Sequence, residues 1–225
     1  MFKKIPLAET IDIQGIREKI ERIESESIFS TIDKALLILV LGGIKPATIL
    51  GDSWPPSHDI VRIYEEGGGP SLTRERFDKE MNDKFNFIKN LGLAVEEYQQ
   101  LEMDPNETGI ELCHRLFYIS LNPRLSHILK VAHTEKDHYR AGILLGFPRT
   151  AAKFYAQVPA RERPKNEIPN EVMRQPYYSL MEFIPSPNNW QKEVETARKW
   201  ADALSRLSPQ IYREQCLGGD TPDVL

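Results

Sequence analysis

Cysteine is nearly absent: Cys113 and Cys216 are the only two in 225 residues. They lie far apart and neither belongs to a CxxC pair, so neither a disulfide framework nor a thiolate zinc site is encoded. Two free thiols suit a reducing compartment, and a cytoplasmic location is expected. Long apolar runs are missing as well. The longest, residues 35–41, falls far short of the roughly 20 residues that span a bilayer, and the opening MFKKIPLAETIDIQ has basic residues but no apolar stretch of signal-peptide length. Residues 35–41 therefore read as a buried helix, with no membrane partner. The chain has no GxSxG, no HExxH and no recognised cysteine–histidine context, so no nucleophile can be named. Gly67-Gly68-Gly69 is followed by no lysine and completes no phosphate loop, which leaves a linker. Positive charge is not in excess: 29 basic side chains face 33 acidic ones, a formal charge of −4, and the pI is near 5.8. That balance argues against general affinity for phosphate backbones.

What is present is a series of amphipathic segments. The chain is long enough to bury a core without metal or disulfide, so stability calls for no cofactor. Ile13, Ile16, Ile20 and Ile23 form one stripe of a helix opening near Asp12. Ser30 and Asp33 are spaced as a capping box for a second helix, ended by Gly42 and Gly43. A Pro/Gly-rich connector follows, with a short apolar piece at residues 60–64. Thr73 caps a helix bearing Phe77, Met81, Phe85 and Ile88, with Leu72 and Phe77 placed as a hydrophobic staple, and residues 90–92 stop it. Residues 93–99 and 110–121 read as a hairpin across a polar loop containing Asp104-Pro105-Asn106 and Gly109. In its second strand Phe117, Ile119 and Leu121 share one face and Tyr118 and Ser120 the other. Asn122-Pro123 opens a helix with Leu125, Ile128, Leu129 and Ala132 inward. Residues 158–176 are expected to be irregular and 177–184 to form a third strand. Ser186-Pro187 is expected to open a long helix carrying Trp190, Val194, Ala197, Ala201 and Leu204, closed by Ser208-Pro209. The sum is a mainly helical α+β protein with a small antiparallel sheet of about three strands covered by helices. It divides into an N-terminal helical segment (1–44), the connector (45–72), an α+β core (73–217) and a tail (218–225), together one domain.

Candidate chemistry concentrates between residues 111 and 157. His114, His127, His133 and His138 fall within 25 residues, together with Glu111, Glu135 and Asp137, a composition that suits metal ligation. In one continuous helix, however, His127 and His138 would lie ~16 Å apart along the axis and His133 would point a third of a turn away. No metal site is therefore expected. His133 and Asp137 alone have the one-turn spacing that lets side chains meet, and they are the weak catalytic candidates of a small-molecule hydrolase.

The tract HYRAGILLGFPRTAAKFYAQ, residues 138–157, carries most information. Gly142 inside a helix costs about 1 kcal/mol unless a neighbouring backbone comes close. Gly146 ends that helix, Pro148 is pre-set for the first position of the next, and Ala151, Ala152 and Ala156 make the second helix thin-walled. One reading is an anion site at the start of the second helix, formed by Phe147, Arg149, Thr150 and Lys153, where free amides and the helix dipole favour a phosphate-containing ligand. Another is a DNA-binding helix-turn-helix over residues 138–157, with Arg149, Thr150 and Lys153 facing a groove. Seven Arg/Lys against three Glu between Arg140 and Arg174 favour it; the overall charge and Pro148 in so tight a turn oppose it.

The same tract resembles an uncharacterised, mainly archaeal family whose members carry a helix, a Gly-Tyr-Pro-x-Cys-Cys turn, a second aromatic helix and a later Phe-x-Pro-Cys segment. Here the turn reads Gly146-Phe147-Pro148-Arg149-Thr150-Ala151 and the later segment Phe183-Ile184-Pro185-Ser186. The cysteines are replaced, so a metal or iron–sulfur role does not carry over. The resemblance covers the C-terminal half and implies a shared fold rather than an activity. The function expected from the sequence is binding or regulation without catalysis, with a phosphate-containing ligand or a protein partner, through the surface around Arg149 and the irregular segment 158–176.

Overall fold

The computed structural model describes residues 13–54, 73–103, 111–158 and 170–218. The isoleucine stripe forms α1 (Ile13–Ser25), with Ile20 and Ile23 buried. The capping box opens α2 (Thr31–Leu41): Ser30 accepts from the Asp33 N–H and Asp33 from the Ser30 N–H. Every residue from Ala35 to Leu41 is buried, because this helix runs through the middle of the core rather than along its surface.

β1 (Ala47–Trp54) comes next, a strand inside the stretch expected to be connector. Its alternation is hidden because both faces are covered, Thr48 and Leu50 on one side and Ala47 on the other. α3 (Arg74–Asn90) starts at Thr73, whose hydroxyl accepts from the Arg76 N–H. The expected hairpin follows as β2 (Ala94–Met103) and β3 (Glu111–Ser120). All pairings are antiparallel and β3 is central, in the order β1-β3-β2, with Ile49 and Glu96 opposite Tyr118.

The face with Leu50, Phe117 and Ile119 joins α1, α2, α3 and the C-terminal helices in the main core. At its far end it turns polar: the buried Arg115 guanidinium donates to Glu97 and Asn82 and to the Asp78 carbonyl, and Lys84 to Asp52 at 2.8 Å, locking α3 to the sheet. The other face, with Ala47 and Tyr118, is covered by α4 (Pro123–Thr134), capped by Asn122 and packed through Leu129 and Ala132. Ser126 is buried beside them, donating to the Ala94 carbonyl, while Leu121 is exposed.

α5 (His138–Leu144) and α6 (Arg149–Gln157) form the expected helical pair. Pro148 sits at the N-cap of α6 rather than at its first position. A short helix, α7 (Asn170–Met173), lies within the stretch expected to be irregular. The expected third strand at 177–184 is instead a 3₁₀ turn (Pro176–Leu180) running into an extended segment. Tyr177, Leu180 and Phe183 are buried; their spacing of three is the period of a 3₁₀ turn, not of a strand.

α8 (Trp190–Leu207) begins after a turn at residues 187–189 rather than at Ser186-Pro187. Ser186 reaches into it, donating through its N–H and hydroxyl to the buried Glu193 carboxylate, each at 2.6 Å. Ser208-Pro209 ends α8 and opens α9 (Pro209–Cys216), a helix not expected from the sequence. The Leu72–Phe77 staple, the 104–110 loop, Gly67-Gly68-Gly69, the 60–64 piece and most of the tail lie outside the described residues. Among the described residues no helix is long and apolar enough to cross a membrane.

Candidate binding cavity

The helix across the histidine cluster is broken. α4 stops at Thr134, Lys136 adopts a left-handed conformation (φ 60°), and the Asp137 carboxylate accepts from the Arg140 N–H to start α5 in a new direction. His133 in the last turn of α4 and His138 in the first turn of α5 consequently line one cleft of about 290 Å³. The one-turn pairing of His133 with Asp137 presupposed a continuous helix and is not formed: Asp137 serves as a cap, and His133 Nδ1 lies 2.8 Å from the Tyr118 hydroxyl on β3.

Burial, with Tyr98 nearby, pushes the Tyr118 phenol up to about 12, so it keeps its proton. The phenol can donate to Nδ1 of a neutral ring, an arrangement that places the His133 proton on Nε2. Burial, and then His138, lowers the His133 pKa and favours the neutral ring. Tyr155 on α6 meets His138 edge-on, with ring centroids 5.5 Å apart.

The opposite wall is built around a buried lysine. Lys45, fully enclosed just after α2, contacts the Glu182 carboxylate and lies over the rings of Trp200 (4.2 Å) and Phe147 (5.5 Å). Burial pushes its ammonium pKa down, and Glu182 opposes that shift. Phe183 completes the wall, 5.5 Å from the Phe147 ring and 6.1 Å from that of Trp200. Gly146 (φ 82°) holds this corner together, since a Cβ there would lie 2.8 Å from Pro46.

The roof is the α5–α6 pair. A Cβ on Gly142 would come within 2.9 Å of the Ala152 Cβ and 3.4 Å of the Phe147 ring, so the helices meet at contact distance through small residues. Ile49, Ala141, Leu145, Ala151 and Ile184 supply the remaining apolar lining, and Glu182 enters with its side chain 25% exposed.

The residues expected to form an anion site do not converge. Phe147 turns inward to Lys45 and Phe183, while Arg149, Thr150 and Lys153 lie on the exposed face of α6, with no side-chain hydrogen bond or ion pair to a described residue. The helix period decides this: positions 149, 150 and 153 share the outer face, and 151 and 152 face inward. Of the three positions where the resembled family has cysteine, Thr150 is exposed, Ala151 lines the cleft and Ser186 is held by Glu193. The other histidines serve elsewhere: His127 lies 3.0 Å from Glu96 and His114 2.6 Å from Ser53. Among the described residues no group of three or more His, Cys, Asp or Glu could hold a metal ion.

Lys45, Tyr118, Tyr155 and Glu182 were not singled out in the sequence. The inward-facing Tyr118 on a strand with two apolar faces was the available signal for one of them. Nothing local marks Lys45 and Glu182, which stand 137 residues apart. No family model, curated protein or solved structure matches the chain.

Proposed function

We propose that this protein binds a small, largely apolar molecule in the cleft beneath α5 and α6. The observation that carries the reading is the convergence there of two imidazoles and one carboxylate within an apolar wall drawn from three separate stretches of the chain, at Ile49, between His133 and Tyr155, and at residues 182–184. Convergent polar groups in an otherwise apolar concavity are the usual form of a ligand site, and its volume lies near the low end of the roughly 300–1,000 Å³ typical of such sites. Binding is favoured over catalysis because no serine, threonine or cysteine among the described residues lines the cleft and the His133 partner is a phenol that stays protonated. Arg149, Thr150 and Lys153 do not enter this reading.

The test is a thermal-shift screen of the full chain with small aromatic and aliphatic compounds, repeated on Ala141→Leu, which adds bulk to the lining. Ligand held by the folded state alone raises stability by about 2.7 kcal/mol at 100 times its Kd. Stabilisation of the unaltered chain that is lost in the folded variant is the expected result. Equal responses from both chains, or none from either, would overturn the proposal.

A further inference from the structure

The polar equipment of the cleft is unbalanced toward donors. His133 and His138 both line it, and His138 disfavours a proton on His133 through space. Two neighbouring carboxylates are engaged: Asp137 accepts from the Arg140 N–H, and Glu182 is in contact with the Lys45 ammonium. Among the described residues, the phenols of Tyr118 on β3 and Tyr155 on α6 also face the pair. Among the described residues no carboxylate other than Glu182 lines the cleft, while Ile49, Leu145, Phe147 and Phe183 give the rest of the space an apolar wall.

We propose that the ligand is a compact carboxylic acid, its carboxylate lodged against His133 and His138 and its aliphatic or aromatic body against Ile49, Leu145, Phe147 and Phe183. This inference rests on the cleft being a ligand site and adds the identity of the head group. Two imidazole N–H donors match the two oxygens of a carboxylate. A phosphate would bring more oxygens and more charge, and Lys45, the cation in the opposite wall, is enclosed and already in contact with Glu182.

A proton consequence follows. An anion beside an imidazole favours the charged ring, so binding draws a proton from solution. Affinity therefore rises as the pH falls from 7.5 to 6.0, an interval in which the ligand carboxylate, with its pKa of about 4 to 5, remains ionised.

The experiment is titration calorimetry of the full chain with benzoate, phenylacetate and hexanoate, and with the neutral isosteres benzamide and phenylacetamide. It is run at both pH values and in two buffers of different ionisation heat. At least one carboxylate is expected to bind tenfold or more tighter than its amide, more tightly at pH 6.0, with a heat that depends on the buffer. His133→Gln and His138→Gln are each expected to remove most of that preference and the buffer dependence, with circular dichroism confirming the fold. Amides that bind as tightly as the acids would overturn the head-group assignment and leave the cleft a ligand site. Carboxylate binding with no proton uptake by the unaltered chain would overturn it as well. A chain that binds neither class, nor any compound of the thermal-shift screen, would overturn the binding reading itself.

Discussion

Lys45 and Glu182 show what a single residue pair can contribute. An ammonium withdrawn from water is costly unless opposite charge, aromatic faces or hydrogen bonds replace its hydration, and here the Glu182 carboxylate and the rings of Trp200 and Phe147 do so. Lys45→Met removes the cation and leaves Glu182 against an apolar wall. We expect a destabilisation of about 2–3 kcal/mol, below the 3–5 of a fully enclosed pair because the Glu182 side chain is 25% exposed. Adding Glu182→Leu should restore most of the loss. Urea unfolding of both single variants and the double variant measures the coupling, and strictly additive costs would contradict it. A related pair, His133 and Tyr118, positions a neutral ring rather than a charge, because burial acts on both partners in the direction of neutrality.

At the scale of elements, the α5–α6 pair depends on side chains small enough for two helices to touch. Gly142 on α5 faces Ala152 on α6, and the chain reverses over Gly146 in a left-handed conformation. Gly142→Leu inserts a side chain where even a Cβ would sit 2.9 Å from a neighbour. A cost of about 1–3 kcal/mol is expected from overpacking. It should appear as a lower Tm and as faster amide exchange in both helices, and an unchanged Tm would show that the contact is looser than described. α3 is held differently, by Arg115 and Lys84 reaching acidic and amide partners across the interface, so its docking relies on paired charges as well as on Met81 and Ile88.

For the whole molecule, stability should depend on pH at both limits of the range. His133 has a folded pKa below the ordinary 6.5 of imidazole. Between the two values the unfolded chain binds the proton that the folded chain refuses, so stability falls as the pH drops below about 6.5. Tyr118 acts at the other limit: its folded value near 12 exceeds the ordinary 10.0, so its contribution is complete below 10 and lost as the pH rises toward 12. Lys45, held below its ordinary 10.5, adds a contribution of opposite slope in the alkaline range, which makes the acid limb the discriminating one. Urea midpoints between pH 7.5 and 5.0 should fall for the unaltered chain and fall less for His133→Gln. Parallel curves would show that the imidazole carries no such linkage.

Much of this architecture was legible in the residues alone, for a local reason. Ser30 with Asp33, Thr73, and Asn122-Pro123 satisfy helix-terminal amides through neighbours a few residues away, and the isoleucine stripe of α1 repeats within one helix. The β2–β3 hairpin is likewise a pairing of adjacent segments. Gly142 and Gly146 announced a close helical pair because glycine is costly in a helix without such a contact. The tertiary structure decided the rest. β1 became a strand by pairing with the free edge of β3, across some 60 residues of sequence, and the segment near Leu180 became a 3₁₀ turn because a spacing of three seats it against α8. The break at Lys136 brought His133 and His138 to one cleft, and burial joined Lys45 to Glu182. Such contacts depend on which surfaces exclude water together, and that is set by the packing of the whole chain rather than by the neighbours of any residue in sequence.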